Sequence, residues 1–213
     1  MMNDNNTQMI ALGMGCFWSP DALFGQLAGI TRTRVGFAGG TTDNPPRSGH
    51  AGDHTEMVEI EFDPAVARLE TILNLFWNNH NPANINNYRD RLYNSLILYR
   101  DEAQLSVIQE VMNNRGEQGK GVPETECMPY TVFYPAEDRH QKYFLKRYPD
   151  AIAKLRTLFP TEDELTRATL AARLNGIAKG FANMDQIIHE IRTWKISHEE
   201  QEEIIDLIKQ IKW

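Results

Sequence analysis

The stretch Met9-Ile10-Ala11-Leu12-Gly13-Met14-Gly15-Cys16-Phe17-Trp18-Ser19-Pro20-Asp21 decides how the chain reads. Its apolar start, closed by two glycines, forms a short buried strand that has to stop there. A cysteine and two aromatics follow, and then a helix start. Ser19 suits the N-cap, Pro20 the first helical position and Gly29 the far end, which predicts a helix over roughly 19–28. Cys16 then lies just ahead of a helix N-terminus, where the dipole and unpaired N–H groups favour a thiolate. Phe17 and Trp18 can wall an apolar pocket beside the sulfur. Cysteine is also a frequent core residue, so a buried structural thiol with two core aromatics is the competing reading.

Working outward, Ile30 to Phe37 reads as a strand rich in Thr and Val, and Ala38 to Asp53 as a loop full of Gly, Pro and Asn. At 16 residues this loop is long for a connector, and long loops in compact domains tend to be functional. Thr55 to Phe62 alternates cleanly: Val58, Ile60 and Phe62 share one face, and Thr55, Glu59 and Glu61 the other. Parity places Glu56 with the apolar set. A carboxyl on a buried face has a raised pKa; at the strand's edge it would reach water instead, and both readings stand. Asp63-Pro64 caps a helix with a stripe of Val66, Leu69, Ile72, Leu73 and Phe76. Tyr93 to Tyr99 reads as a strand, Asp101 starts a helix to about Asn114, Glu124 to Tyr134 is another strand, and Pro135 opens a helix to about Tyr148. Thr161–Glu164 and Ser197–Glu200 have capping-box form, so the tail is mostly helical. In its last helix the acidic run Glu199 to Asp206 is a solvated face, with Ile204, Ile205, Ile208 and Ile211 turned inward.

The chain has 213 residues, 41% apolar and 24% charged, which fits a globular domain with an appendage or one large domain. A net charge of −7 argues against nucleic acid as a partner, since phosphate binding needs a basic surface. No apolar run reaches the length of a membrane span. The polar start Met1 to Asn6 lacks a signal peptide's basic and apolar regions. Two cysteines, Cys16 and Cys127, are too few for a disulfide scaffold and fit a reducing cytoplasm. The six histidines show no metal-ligand spacing, so no metal is expected.

A thiol at a helix start, two adjacent aromatics, a carboxyl on a buried face and a tyrosine at a strand start suit attack by sulfur with protonation of a leaving oxygen. In these residues the chain resembles the peptide methionine sulfoxide reductase A family. The resemblance is carried by Gly15-Cys16-Phe17-Trp18, Val35-Gly36-Phe37-Ala38-Gly39-Gly40, Asn44-Pro45, Gly52-Asp53-His54-Thr55-Glu56, Phe62-Asp63-Pro64, Leu75 to Pro82, Tyr93-Asn94-Ser95 and Phe133 to Gln141. These blocks run in the family's order over roughly residues 9–148.

The resemblance implies an α+β fold, a two-layer α/β sandwich with a ferredoxin-like core and a mixed sheet with flanking helices. Residues 1–155 would be the catalytic domain and 156–213 a helical C-terminal extension packed on it. It implies reduction of the S epimer of methionine sulfoxide, free or in oxidised proteins, by a cytoplasmic, monomeric repair enzyme without metal or bound cofactor. Cys16 matches the nucleophile, Glu56 the acid that protonates the oxygen, and Tyr93 a ligand of that oxygen. Phe17 and Trp18 match the pocket for the substrate's methyl group. Asp53 and His54 are further candidates at the substrate site, with loop-structuring as the stronger reading of Asp53. The product would be methionine plus a sulfenic acid on Cys16, reset by an external thiol such as thioredoxin or glutaredoxin with glutathione.

Two features depart from the family. A tyrosine common just after the Asn-Pro pair is missing, and Pro46-Arg47-Ser48 stands there; one lost hydrogen bond costs about 1–3 kcal/mol of transition-state stabilisation. The tail carries no resolving cysteine, and mid-strand Cys127 reads as a core residue. Two other readings remain: a methionine-sulfoxide-binding module with weakened catalysis, and a cysteine hydrolase with His54 or His140 as base.

Overall fold

The computed structural model describes residues 7–42, 50–87 and 90–213; Arg47 and its neighbours, the Asn44-Pro45 pair and the Met1–Asn6 start lie outside the described residues. Strand β1 (Gln8–Met14) leads into α1 (Trp18–Gly25), followed by β2 (Ile30–Ala38), β3 (Thr55–Phe62), α2 (Leu69–Asn78) and β4 (Ser95–Tyr99). These strands lie in the antiparallel order β4-β1-β3-β2, which is the ferredoxin-like core. Helix α3 (Glu102–Glu117) then returns the chain to lay β5 (Glu126–Pro129) parallel to β4, and β6 (Phe133–Pro135) closes the far edge against β2. The sheet is therefore mixed and six-stranded, β5-β4-β1-β3-β2-β6.

The single strand expected over Glu124–Tyr134 is thus two short strands on opposite edges. Only Tyr130 to Val132 join them. Four residue steps reach at most about 14 Å, whereas five flat strand spacings need about 24 Å, so the sheet coils strongly to bring its edges together. The crossing segment covers the second face of the sheet, where Ala11, Ala38, Met57, Leu96, Leu98 and Phe133 form a small core. The face bearing Thr55 and Glu59 is consequently not open to water: Glu59 is buried, paired with Arg34, and accepts from the Tyr130 hydroxyl. On the helix-covered face the alternation of Val58, Ile60 and Phe62 holds, and they join Ile10, Leu12 and Phe37 against α1 and α2.

Several helix boundaries differ from expectation for local reasons. Phe17, not Ser19, occupies the N-cap place of α1, with no side-chain cap. The Ala65 and Ala67 amides bond back to Asp63, so a turn precedes α2 and leaves Val66 61% exposed instead of buried. Residues 135–148 do not form a helix. They hold two 3-10 turns, Asp138–His140 and Leu145–Arg147, separated by Lys142 at φ 52°, which a continuing helix cannot contain. Tyr93 ends a 3-10 turn, Arg91–Tyr93, just before β4.

The tail folds as α4 (Pro149–Leu155), α5 (Glu162–Arg167), α6 (Thr169–Lys179), α7 (Met184–Ile191) and α8 (His198–Lys209). Both expected capping boxes form, and Asn183–Gln186 adds a third. In α8, Ile205 and Ile208 are fully buried, with Ile211 just beyond it. These helices share their own core, which also takes in Leu145 of the preceding 3-10 turn. Helix α6 packs directly on α1: a Cβ on Gly25 would lie 2.9 Å from the Ala172 carbonyl oxygen, so only glycine permits this approach.

Candidate active site

Gly15, at φ 94°, turns the chain out of β1, and an added Cβ would meet Ile85 Cγ2 at 2.8 Å. This corner delivers Cys16, half-buried, at the mouth of α1. Strand register brings the carboxyl to it. Leu12 pairs with Val58 and Phe37 with Glu56, so Glu56 lies on the helix-covered face at the strand end nearest the corner. The Phe17 backbone N–H donates to Glu56 Oε2 at 3.1 Å, and the Cys16 thiol lies beside the same carboxyl. The parity reading of Glu56 therefore holds, and its half-buried position raises its pKa, with the Phe17 amide and the thiol pulling the other way.

The expected thiolate does not form in the resting site. Burial pushes the Cys16 thiol up to about 11, and the Glu56 carboxylate adds to this by charge and by accepting the S–H. The Trp18 backbone N–H at the start of α1 favours the thiolate, but one amide does not offset desolvation. The arrangement sets a thiol beside a carboxyl, and each has its pKa raised by burial.

Of the two aromatics, Phe17 is buried, with its ring 5.7 Å from those of both Phe37 and His140. Trp18 is half-buried and tightly held. Its Nε1–H donates to His140 Nδ1 at 3.2 Å, and its ring stacks on Tyr143 with centroids 3.8 Å apart. His140 therefore carries its neutral-state proton on Nε2, and burial lowers its pKa. His140 and Tyr143, which fix the indole, were hidden by the helix expected over this segment. Tyr93 reaches the neighbourhood by register. Met14 pairs with Ser95, and Cys16 and Tyr93 each lie two residues beyond that pair, toward the same end.

Asp53 and His54, the further candidates at the substrate site, bond to the loop that joins β2 and β3. Asp53 accepts from the backbone N–H and hydroxyl of both Thr41 and Thr42, which holds its carboxyl well below the usual carboxylate range. The His54 ring engages the Gly40 N–H and the Thr42 carbonyl. Together they clamp the two ends of the β2–β3 loop. Cys127 lies half-buried on β5 beside Ile97, which in turn lies beside Leu12 of β1. It is two strand spacings, about 10 Å, from β1, beyond disulfide reach of Cys16 without rearrangement. Among the described residues, no three His, Cys, Asp or Glu side chains gather as a metal site.

The ferredoxin-like α+β core thus presents a thiol beside a carboxyl at a strand–helix corner. A family model described as peptide methionine sulfoxide reductase matches residues 8–172, and the chain belongs to that family of sulfur-directed oxidoreductases, which return methionine sulfoxide to methionine. A peptide methionine sulfoxide reductase of Drosophila melanogaster is 41% identical over 184 residues, 85% of this chain and 72% of the relative. A peptide methionine sulfoxide reductase MsrA of Methanococcus maripaludis strain C5 is 37% identical over 149 residues, 67% of this chain and 94% of that one. Methionine sulfoxide reductase A of Corynebacterium diphtheriae superposes with a TM-score of 0.56 at 28% identity, over 70% of this chain and 79% of the other. Reduced Mxr1 of Saccharomyces cerevisiae shares the fold at a TM-score of 0.60 and 23% identity, over 70% and 90% of the two chains. No helix among the described residues is long and apolar enough to cross a membrane.

Proposed function

We propose that Cys16 is the nucleophile, Glu56 the proton carrier and Tyr93 an oxygen ligand in reduction of the S epimer of methionine sulfoxide. The observation that carries this reading is the placement of the Glu56 carboxyl beside the Cys16 thiol, anchored by the Phe17 amide at 3.1 Å from the carboxyl. As sulfur attacks the substrate's sulfur, the thiol proton passes to Glu56 and from there to the sulfoxide oxygen. That oxygen then moves to Cys16. The Cys16 sulfur is oxidised by two electrons to sulfenic acid and the substrate sulfur is reduced by two, giving methionine. Two external thiols, of a thioredoxin-like protein or glutathione, then form a disulfide and release water, restoring the thiol.

Trp18, held by His140 and Tyr143, offers the apolar surface for the substrate's methyl group, with Phe17 as the floor beneath it. Residues 1–155 carry this chemistry and 156–213 brace it from behind α1, in a reducing cytoplasm that keeps both cysteines as thiols. A hydrolase reading fares worse, because the thiol's partner is a carboxyl, while His54 is bound to loop backbone and His140 to Trp18.

The test is turnover of each sulfoxide epimer with excess dithiol, together with mass spectrometry of Cys16 and Cys127 after one cycle without reductant. The reading expects turnover of the S epimer alone, and one added oxygen on Cys16 with Cys127 unchanged. Full activity of Cys16→Ser would sink it.

A further inference from the structure

We propose that Arg91 is a positioning residue that fixes the distance between Glu56 and Tyr93 across the candidate site; the inference rests on the roles given to those two residues above. Arg91 opens the 3-10 turn that ends in Tyr93. Its guanidinium reaches three separate parts of the fold. Nε donates to the Asp53 carbonyl at 3.0 Å, and Nη2 to the Gly39 carbonyl at 3.2 Å. Nη1 donates to both carboxylate oxygens of Glu126, each at 3.1 Å. Its own carbonyl accepts from the Thr55 hydroxyl at 2.8 Å.

Gly39 follows the last residue of β2, Asp53 and Thr55 lead into β3 one to three residues ahead of Glu56, and Glu126 begins β5. Asn94, directly after Tyr93, also donates to Glu126, at 3.2 Å. One side chain thus ties the strand entry that carries Glu56 to the turn that carries Tyr93, and ties both to the sheet edge. A guanidinium makes such a three-way link because its five donors are held in one plane; an ammonium has the charge without the fork. Among the described residues, Asp53 and His54 also hold the two ends of the β2–β3 loop, and Arg91 adds a separate tie to both ends.

Transition-state contacts are sensitive to small displacements, and a shift of about 1 Å can cost about a hundredfold in rate. The experiment compares kcat, KM and melting temperature for Arg91→Ala, Arg91→Lys and Glu126→Gln with Cys16→Ser and Tyr93→Phe in one assay on the S sulfoxide. Arg91→Ala is expected to lower kcat about ten- to a hundredfold with KM within about threefold. Arg91→Lys should recover little of that loss, and Glu126→Gln should fall between it and the parent. If Arg91→Ala does not fold, Arg91→Lys decides. Full kcat in the folded arginine variants, with Cys16→Ser and Tyr93→Phe impaired, would overturn the positioning role while leaving the catalytic reading intact. Unimpaired Cys16→Ser and Tyr93→Phe would instead remove the reading on which it rests.

Discussion

The backbone N–H of Phe17 and the Glu56 carboxyl, 3.1 Å apart, join the start of α1 to the start of β3. The same carboxyl receives the Cys16 thiol, so the nucleophile and its proton partner are set by one strand register and one glycine corner. The charge of Glu56 is one of the groups holding the Cys16 pKa up. Glu56→Gln is therefore expected to lower that pKa below about 11 while abolishing most turnover. Alkylation of Cys16 by iodoacetamide, followed against pH, checks this. In the parent the rate should keep rising toward pH 11, and in the variant it should level off earlier. A midpoint that moved up would contradict the assignment. The turnover loss expected from removing a general acid is about a hundredfold or more.

The indole of Trp18 depends on a neutral His140, whose pKa is lowered by burial. Protonation places a hydrogen on Nδ1, which then no longer accepts from the indole N–H. The Trp18–His140 bond is therefore intact at neutral pH and lost as pH falls below the usual histidine range. His140→Phe should remove the pH dependence and raise KM several-fold at pH 7, with kcat less affected. Fluorescence of the parent against Trp18→Phe isolates the indole's response; a signal flat from pH 7 to 4 would refute the link.

How far the sequence could be read depended on whether a signal was local. The alternation of β3, the helix-face parity of Glu56, the capping boxes at Thr161 and Ser197 and the inward isoleucines of α8 are properties of short windows, and they stand in the structure. The features that differ from the sequence expectation depend on distant partners. Glu124 to Tyr134 keeps an apolar rhythm across a chain crossing, because the coiled sheet buries both its faces. The segment 135–148 has helical composition, yet Lys142 is drawn into a left-handed conformation by a buried carboxylate more than a hundred residues earlier. The resting state of Cys16 departs from the sequence expectation for the same reason. A helix start is visible in sequence, but the desolvation that outweighs it belongs to the assembled core.

That buried pair, Asp21 and Lys142, is the second testable element of the scaffold. Lys142 Nζ donates to Asp21 Oδ1 at 2.9 Å and to the Thr33 carbonyl at 2.7 Å, while the Lys142 and Asn175 nitrogens share Asp21 Oδ2. Both side chains are fully buried, and burial pushes the Lys142 pKa down against the pull of Asp21. Lys142→Met strands a carboxylate in the core and is expected to cost about 3–5 kcal/mol. The double variant Asp21→Asn with Lys142→Met should recover part of that loss. Urea unfolding of the two singles and the double gives the coupling directly, and a single-variant cost below about 1 kcal/mol would show that the pair is not strongly coupled.

The tail grips the same helix at its other end. Arg173, fully buried on α6, donates to the Gly25 carbonyl at 2.6 Å and the Ile30 carbonyl at 2.8 Å, and forks onto Glu190 of α7 with two contacts of 2.7 Å. Its positive charge meets the negative end of α1, where exposed carbonyls and the helix dipole favour a cation. Arg173→Met leaves two carbonyls and one carboxylate without their donor, so it is expected to cost about 3–5 kcal/mol. Glu190→Gln should cost less, because the guanidinium keeps both carbonyls. If the tail braces α1 without shaping the chemistry, kcat per folded molecule should stay within about twofold in Glu190→Gln. The N-terminal end of α1, directly after Cys16, is held separately by Glu56 and His140. Urea unfolding with parallel kinetics distinguishes the cases: a large loss of kcat in a fully folded Glu190→Gln variant would make the tail part of the catalytic apparatus.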